Sequence, residues 1–147
     1  MKKSGLAAGF ALAAAFVLGG SAAATAPRIG GIMPEGIYAG VPAKTGKAMY
    51  TTPGDAPGLY TWEKGAEYCA ALETDGHQDW RAPTKGELNE LFRNRAAIGG
   101  FNETGSLPAG WYWSSSRGTN YAWGQRFSDG SQSFDGKDGD SSLRCVR

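Results

Sequence analysis

Residues 80–92 of the chain read WRAPTKGELNELF, and this stretch defines the start of a helix. Thr84 and Glu87 have the spacing of a capping box, in which the hydroxyl and the carboxylate each bind a free backbone N–H at a helix start. Pro83 holds the residue before it in extended backbone and so ends the preceding segment. The apolar stripe at helical spacing consists of Leu88, Leu91 and Phe92. The sequence therefore predicts a helix that begins after Thr84.

Upstream of this stretch, the pattern predicts one strand and one more helix. Residues 48–52 suit a strand, and a segment rich in proline and glycine breaks it. Thr61 is a suitable N-cap for the helix, and Gly76 is a natural stop. The residues at i, i+4 and i+7 on its inward face are Trp62, Ala66 and Cys69. Cys69 is therefore expected to point into the core.

Downstream of residue 100, apolar residues alternate, which predicts antiparallel strands. Trp111 and Trp113 share one face, and a second alternating set consists of Trp123, Gln125 and Phe127. Asp129-Gly130 is a hairpin turn signal, and residues 143–147 form a short last strand. Two polar, glycine-rich segments between the strands are predicted to be long loops, residues 116–121 and 131–142. One strand, two helices and then antiparallel strands define an α+β fold class.

The first residues have the parts of a secretory signal peptide, namely a basic start, an apolar run and small residues near position 24. We expect a signal peptide over residues 1–24 and export to the periplasm, the cell surface or the medium. An uncleaved anchor is the alternative, but the run is shorter than the roughly 20 residues that a span needs. Residues 25–46 are interpreted as a Gly/Pro-rich tether, which leaves residues 47–147 as the folded domain. No membrane span is expected after cleavage.

The charge of the chain limits the classes of partner. The 147 residues carry 15 basic and 14 acidic side chains, so no field of one sign is available for a nucleic acid. Aromatic residues make up 12% of the chain, which together with the low net charge argues against disorder. No pattern in the sequence indicates an oligomeric state.

The two cysteines, Cys69 and Cys145, both lie in the part expected to be exported. An oxidising compartment would pair them. The bridge would close a loop of about 77 residues and contribute roughly 4.5 kcal/mol in the chain-entropy treatment. The alternative is two free thiols, one of them catalytic, which requires a nearby base such as His77, the one histidine of the chain.

Several short elements in a fixed order resemble a known family. They are Trp80-Arg81-Ala82-Pro83-Thr84, Tyr112-Trp113-Ser114-Ser115-Ser116 and Arg144-Cys145-Val146-Arg147. Over residues 47–147 the chain resembles the Lcl C-terminal domain family, although alanine at position 82 stands where leucine is usual. The resemblance implies a C-type-lectin-like fold with a Cys69–Cys145 disulfide. It also implies that Trp80, Arg81, Trp113 and Trp123 are scaffold residues. The alternative for the tryptophans is a platform on which sugar rings stack.

A narrower resemblance covers residues 108–147. The elements that carry it are residues 108–116, Trp123, Gln125, Phe127 and residues 141–147. They are similar to the variable proteins of diversity-generating retroelements, in which adenine-bearing codons near the 3′ end of the gene are rewritten while the fold stays constant. The residues between these elements are of types common in antibody loops, where they give adaptable contacts. The alternative is that they only fill solvated loops.

These observations predict an exported ligand-binding module that displays a loop surface to a protein or a surface glycan. The candidate ligand-binding residues are Arg117, Thr119, Asn120, Tyr121, Arg126, Ser131, Ser133, Phe134, Asp135, Asp138 and Asp140. The two aromatic residues are expected to be apolar anchors and the arginines to be fork-shaped donors. The aspartates would complement basic groups of the partner. The alternative is a structural or adhesive subunit of an envelope or a virion.

Catalysis, a cofactor and a metal site are not expected. The broad fold family includes formylglycine-generating enzymes, which use cysteines beyond a structural bridge, and the chain has only two cysteines. Calcium needs several oxygen ligands, some of which could come from Asp129, Asp135, Asp138 and Asp140. The spacing of these residues does not match the calcium-binding loop of about 12 residues.

Overall fold

The structure is a computed structural model that describes residues 19–147. The predicted signal peptide lies outside the described residues, apart from residues 19–24, which have no regular secondary structure. Within residues 19–147, no helix has the length and apolar character needed to cross a bilayer. The elements are β1 (Ile32–Met33), β2 (Gly36–Gly40), β3 (Met49–Thr51), α1 (Trp62–Ala71), α2 (Lys85–Arg93), α3 (Arg95–Ile98), β4 (Trp111–Arg117), β5 (Tyr121–Arg126) and β6 (Gln132–Gly136).

Two antiparallel sheets of three strands each form the frame of the domain. The first has the strand order β1-β2-β3, and the second has the order β4-β5-β6. The α2 helix contacts β2 of the first sheet and both β4 and β5 of the second. The two sheets, the few helices and one disulfide confirm the α+β class and the C-type-lectin-like arrangement.

Residues 32–40 do not behave as the predicted tether, because they form β1 and β2. Ala39 of β2 is fully buried, and its carbonyl accepts a hydrogen bond of 3.0 Å from the Asn94 side chain. A Cβ on Gly40 would lie only 3.1 Å from the Asn94 Nδ2 and 3.2 Å from the Glu90 Oε1, so β2 approaches α2 closely at this glycine. Gly40 also has a φ of 109°. The composition that indicated a tether is therefore that of a tightly packed strand.

The α2 helix begins where the sequence predicts it. The Thr84 side chain accepts from the Glu87 N–H, and the Glu87 carboxylate accepts from the Thr84 N–H at 2.8 Å, which completes the capping box. The same carboxylate binds two nitrogens of Arg81 at 2.7 and 2.8 Å. Burial alone would raise the pKa of Glu87, but the hydrogen bonds from Arg81 and Thr84 outweigh it, and the pKa lies below its ordinary value.

The α1 helix follows the prediction at its start but not along its length. Thr61 is the N-cap residue, although its side chain makes no capping hydrogen bond. The helix ends at Ala71, well before the glycine predicted to stop it. Its buried face contains Gly65 instead of Ala66, because Gly65 lies against Leu143, where even a Cβ would be tight.

Part of the second predicted loop is a strand. The β6 strand pairs with β5 from Gln132 to Gly136. Residues 133–135 are exposed, so β6 lacks the apolar alternation by which a strand is recognised in a sequence. The last segment, residues 143–147, pairs through isolated bridges from Val146 to Thr51 and Arg81 rather than as a continuous strand.

Among the described residues, the buried side chains form two clusters, and β4 contributes Tyr112 to the first and Trp113 to the second. The first cluster includes Ala39, Met49, Leu88, Leu91, Tyr112, Phe127 and Val146. The second includes Trp80, Trp113, Ala122, Leu143 and the cysteines. Cys69 and Cys145 are bonded to each other, which confirms the predicted disulfide, and the alternative of two free thiols is wrong.

Candidate recognition surface

The predicted binding residues lie on the β5–β6 hairpin and on the turns at its two ends. Strand pairing fixes the direction of their side chains, because residues directly opposite each other in an antiparallel pair share a face. Trp123 pairs with Phe134, and Gly124 pairs with Ser133. Consecutive residues of a strand point to opposite faces. The candidate residues are therefore divided between two faces of one sheet and do not form a single loop surface.

One face carries an open groove of about 190 Å³ that includes Ser133 and Asp135 among its lining residues. The other lining residues are Leu107, Trp111, Trp113, Gly124 and Ser141, together with Phe134, whose ring packs against Trp123 on the opposite face. The Trp113 indole N–H donates to the Tyr60 carbonyl at 2.8 Å, which fixes this ring in place. Gly124 has no side chain, so the space above it stays open. This face combines indole rings with hydroxyls and one carboxylate.

The opposite face carries a row of three aromatic side chains, Tyr121, Phe134 and Trp123, which we call the aromatic ridge. The ring centroids of Tyr121 and Phe134 lie 5.0 Å apart, and those of Trp123 and Phe134 lie 5.6 Å apart. The Lys85 ammonium lies 3.4 Å from the centroid of the Trp123 ring. Phe134 is 60% exposed and Tyr121 is 42% exposed. The ridge is therefore open apolar surface with a cation at one end.

Arg117 ends β4, Thr119 and Asn120 lie in the turn that leads to β5, and all three are exposed. The Arg117 guanidinium lies 5.8 Å from the centroid of the Trp62 ring, and the Lys137 ammonium lies 4.6 Å from it. Lys137 also donates to the Thr119 carbonyl at 2.9 Å. Lys137 thus holds the backbone of the turn while the three predicted binding side chains face solvent.

At the turn between β5 and β6, the two candidate binding residues Arg126 and Ser131 already have hydrogen-bond partners. The Arg126 Nε donates to the Gly105 carbonyl at 3.1 Å, and a second nitrogen of Arg126 lies 3.4 Å from the Asp129 carboxylate. Asp129 also accepts from the Ser131 N–H at 3.0 Å, a hydrogen bond that lowers the pKa of Asp129. Arg126 therefore orders this turn through its Nε, and its side chain remains 40% exposed.

Asp135, Asp138 and Asp140 are exposed at β6 and the turn that follows it. Asp135 accepts from the Gly136 N–H at 2.7 Å. Within residues 19–147, none of the three aspartates forms an ion pair. In the same part of the chain, no three acidic, cysteine or histidine side chains converge into a possible metal site. This turn therefore carries negative charge without a paired cation.

Sequence reasoning missed Lys85 and Leu107 as parts of this surface. Lys85 lies at the start of α2 and reaches Trp123 only through the packing of α2 on the second sheet, which no local pattern shows. The sequence did indicate part of the groove, because the alternation of Trp111 and Trp113 placed both rings on one face of the strand.

The residues of the resemblance also have clear positions. Trp80 and Trp113 are each 2% exposed, and Arg144 is fully buried. Arg147 binds the Asp79 carboxylate through two nitrogens at 2.7 and 3.2 Å. A model of the Lcl C-terminal domain family matches residues 43–147. The chain belongs to the Lcl C-terminal domain family. No curated protein matches it.

The elements that this domain shares with the Lcl C-terminal domain family are mostly buried, whereas most of the candidate binding residues lie on the surface. The family elements supply buried aromatic residues, the capping box of α2 and the two arginines near the chain end. Trp123 belongs to both groups, because it is half-buried and forms part of the aromatic ridge. The match begins at residue 43, so β1 and β2 precede it in the chain, although Ile37 and Ala39 of β2 pack in its first core cluster.

Proposed function

We propose that this domain is an exported recognition module that binds a partner protein through the β5–β6 hairpin. The observation that carries the proposal is the exposure of the aromatic ridge, at 60% for Phe134 and 42% for Tyr121. Exposed aromatic rings surrounded by polar side chains are the usual anchors of protein interfaces. The neighbouring arginine, threonine and aspartates would form the polar rim of such an interface.

The geometry of the ridge favours a protein over a glycan on this face. A sugar ring stacks on a flat aromatic platform. The planes of Tyr121 and Phe134 are inclined by 50°, and those of Trp123 and Phe134 by 79°, so the three rings form no common plane. A protein side chain can pack in the angle between inclined rings.

A surface glycan is the second candidate partner, and the opposite face favours it. The groove there places the half-buried indole of Trp111 beside Ser133, Ser141 and Asp135. Aromatic carbon next to hydroxyl and carboxylate oxygens matches the alternating apolar and polar surface of a sugar ring.

The disulfide is compatible with the exported location that this role requires, because such bonds persist in oxidising compartments. The role proposed here is binding and not catalysis. A structural or adhesive envelope subunit is the alternative, and self-association of the purified chain would favour it.

The partner can be trapped by a photo-crosslinking residue placed at Thr119, which is exposed beside the hairpin. The matched control carries the same residue at Ala97, which is exposed on α3. In the cells that produce the full chain, we expect a discrete adduct from position 119 and none from position 97. Tyr121→Ser together with Phe134→Ser should abolish the adduct. Equal adducts from both positions, or an adduct that survives the double substitution, would contradict the proposal.

The glycan candidate has a separate readout. Trp111→Leu should remove binding of the purified chain to a glycan panel and leave the adduct from position 119 unchanged. If no glycan is bound by the unsubstituted chain, this second candidate is rejected.

A further inference from the structure

The β6 strand is the outer strand of the second sheet, so one side of its backbone has no neighbouring strand. The Arg126 N–H donates to the Ser131 carbonyl at 2.9 Å, and the Lys137 N–H donates to the Asn120 carbonyl at 3.3 Å. Bonded and non-bonded pairs alternate along antiparallel strands. Residues 131, 133, 135 and 137 therefore direct their backbone groups toward β5. The backbone groups of Gln132, Phe134 and Gly136 point away from the sheet.

Gly136 is already satisfied on this outer side. Its N–H donates to the Asp135 carboxylate at 2.7 Å, and its carbonyl accepts from the Gly139 N–H at 3.0 Å. The N–H and C=O groups of Gln132 and Phe134 have no hydrogen-bond partner among residues 19–147. We call these groups the open edge. An exposed strand with unpaired backbone groups is a template for an added strand.

The side chains beside the open edge would contact both faces of an added strand. Phe134 and Tyr121 lie on one face, and Ser133 and Asp135 lie on the other. An added strand alternates its own side chains between these two faces. It would therefore bury the aromatic ridge and approach the groove at the same time, which a flat partner on one face cannot do.

The charge around the open edge indicates which kind of segment would bind there. Residues 132–140 contain three aspartates and one lysine, and Lys85 of α2 adds a second cation, whose ammonium lies on the Trp123 ring. The ammonium of the first lysine, Lys137, is directed to the Thr119 carbonyl and the Trp62 ring. The aspartates have no ion pair within the described residues 19–147. Resting on the proposed recognition role, we propose that the open edge binds an extended segment of a partner protein with lysine or arginine side chains, as an added β-strand.

A second copy of this chain is a poorer occupant. Two β6 strands that pair antiparallel around Phe134 would place Gln132 opposite Gly136 of the other copy. The backbone groups of Gly136 are already bonded within their own chain. Such a dimer would also bring two acidic turns close together, and the repulsion between them would oppose it.

The experiment selects phage-displayed random decapeptides on the immobilised full chain. We expect enriched sequences in which lysine or arginine alternates with β-branched or aromatic residues. Each enriched peptide is then synthesised in two N-methylated forms, with methyl groups on alternate amides. Methyl groups on the peptide amides that face β6 should weaken binding at least about tenfold per hydrogen bond lost. Methyl groups on the peptide amides that face away from β6 are the matched control and should leave the dissociation constant unchanged.

Substitutions in the protein give a second measurement. Phe134→Pro removes the outward N–H, whereas Phe134→Leu keeps it, so the proline variant should bind the peptide at least about tenfold more weakly than the leucine variant. The N-methylated peptides do not depend on how well the proline variant folds. Asp135→Asn should weaken the binding of basic peptides and reduce its dependence on salt.

The outcomes separate this inference from the proposed function. Equal binding by the two N-methylated forms, or enrichment without basic residues, would overturn strand addition. If Tyr121→Ser together with Phe134→Ser still abolished the adduct from position 119 in that case, the recognition role would stand without strand addition. A dimer in sedimentation that dissociates on Phe134→Pro would overturn the inference in favour of a second copy.

Discussion

Arg144 is a charged side chain that is fully buried, and its surroundings explain why the structure tolerates it. Its Nε donates to the Asp55 carboxylate at 2.8 Å, and its other nitrogens donate to the carbonyls of Thr52 and Gly99 at 3.0 and 3.1 Å. The guanidinium also lies 3.9 Å from the centroid of the Phe101 ring. A planar group with several donors can satisfy all these partners at once, whereas an ammonium cannot.

Arg144→Lys is therefore expected to destabilise the domain by about 3 kcal/mol, because a buried charge would lose most of its hydrogen bonds. Urea unfolding measures this free energy. Arg117→Lys is the control, since Arg117 is exposed, and it should change the free energy of unfolding by less than about 0.5 kcal/mol. Equal stability of the two variants would show that the three hydrogen bonds of Arg144 are not needed together.

Glu87 gives a prediction about pH at the same scale. Its pKa in the folded protein is lowered, so the ionised form contributes stability above the unfolded pKa of about 4.3, and this contribution is lost as the pH falls through the folded pKa. Glu87→Gln keeps a capping side chain but removes the ion pair with Arg81. The variant should be less stable by about 1–2 kcal/mol at pH 7, and this deficit should be smaller at pH 3, which lies below the unfolded pKa.

Thermal unfolding at both pH values tests this expectation. Glu67→Gln is the control, because the Glu67–Lys64 pair has side chains that are 66% and 70% exposed and should contribute almost nothing. A deficit of Glu87→Gln that persists unchanged at pH 3 would mean that its cause is not the loss of ionisation.

Among the secondary-structure elements, β1 and β2 show what the sequence could not reveal. The chain around them contains glycines at positive φ, and a glycine-rich segment without periodicity is also what a flexible tether contains. The difference lies in partners that are distant in sequence, such as the contact of Gly30 with α3. In α2, by contrast, Thr84 and Glu87 satisfy each other within one helical turn, so the sequence alone predicted the helix start.

Gly30→Ala tests whether the segment before β1 is part of the domain. An added Cβ at Gly30 would overlap the carbonyl oxygen of Ala97, and the φ of 81° already disfavours alanine. We expect a loss of about 2–4 kcal/mol in the free energy of unfolding. Gly46→Ala is the matched control, because its φ of 62° is also positive but no atom lies within 4 Å of its Cβ position. It should cost only about 1 kcal/mol. Equal losses would mean that this segment does not pack on α3.

The candidate surface was predictable only where it depends on residue type and not on contacts between segments distant in the sequence. Exposed residues such as Phe134 and Asp135 could be named because their types occur in binding loops. Their division between two faces could not be predicted, because it depends on the pairing register of β6, and β6 has no apolar pattern of its own. Arg126 was expected to be a fork-shaped donor, and its hydrogen bond to Gly105, a residue far away in the sequence, was not predictable.

For the molecule as a whole, the disulfide joins the first helix to the chain end across a sequence separation of 76 residues. Closing so long a loop in the unfolded chain contributes roughly 4.5 kcal/mol in the chain-entropy treatment. Reduction should therefore lower the melting temperature by more than about 10 °C. The same reductant should have no further effect on the Cys69→Ala/Cys145→Ala double variant, which is the control. An unchanged melting temperature with two titratable thiols would contradict the expectation.

The division of the molecule into a buried frame and an exposed hairpin leads to a prediction about its gene. If a retroelement rewrites codons 117–140, the changes should be limited by the packing of each position. Phe134, Asp135 and Thr119 are exposed and can change without disturbing the core, whereas Ala122 and Gln125 are fully buried in the same segment. Sequencing the 3′ end of the gene across many related cells should show changes at the exposed positions. The codons for Ala122 and Gln125 should be spared, as should those for the frame residues Trp113, Trp123, Phe127 and Cys145. Changes scattered evenly over the gene, or as frequent at Gln125 as at Phe134, would reject the retroelement hypothesis and leave the recognition role to be tested by crosslinking alone.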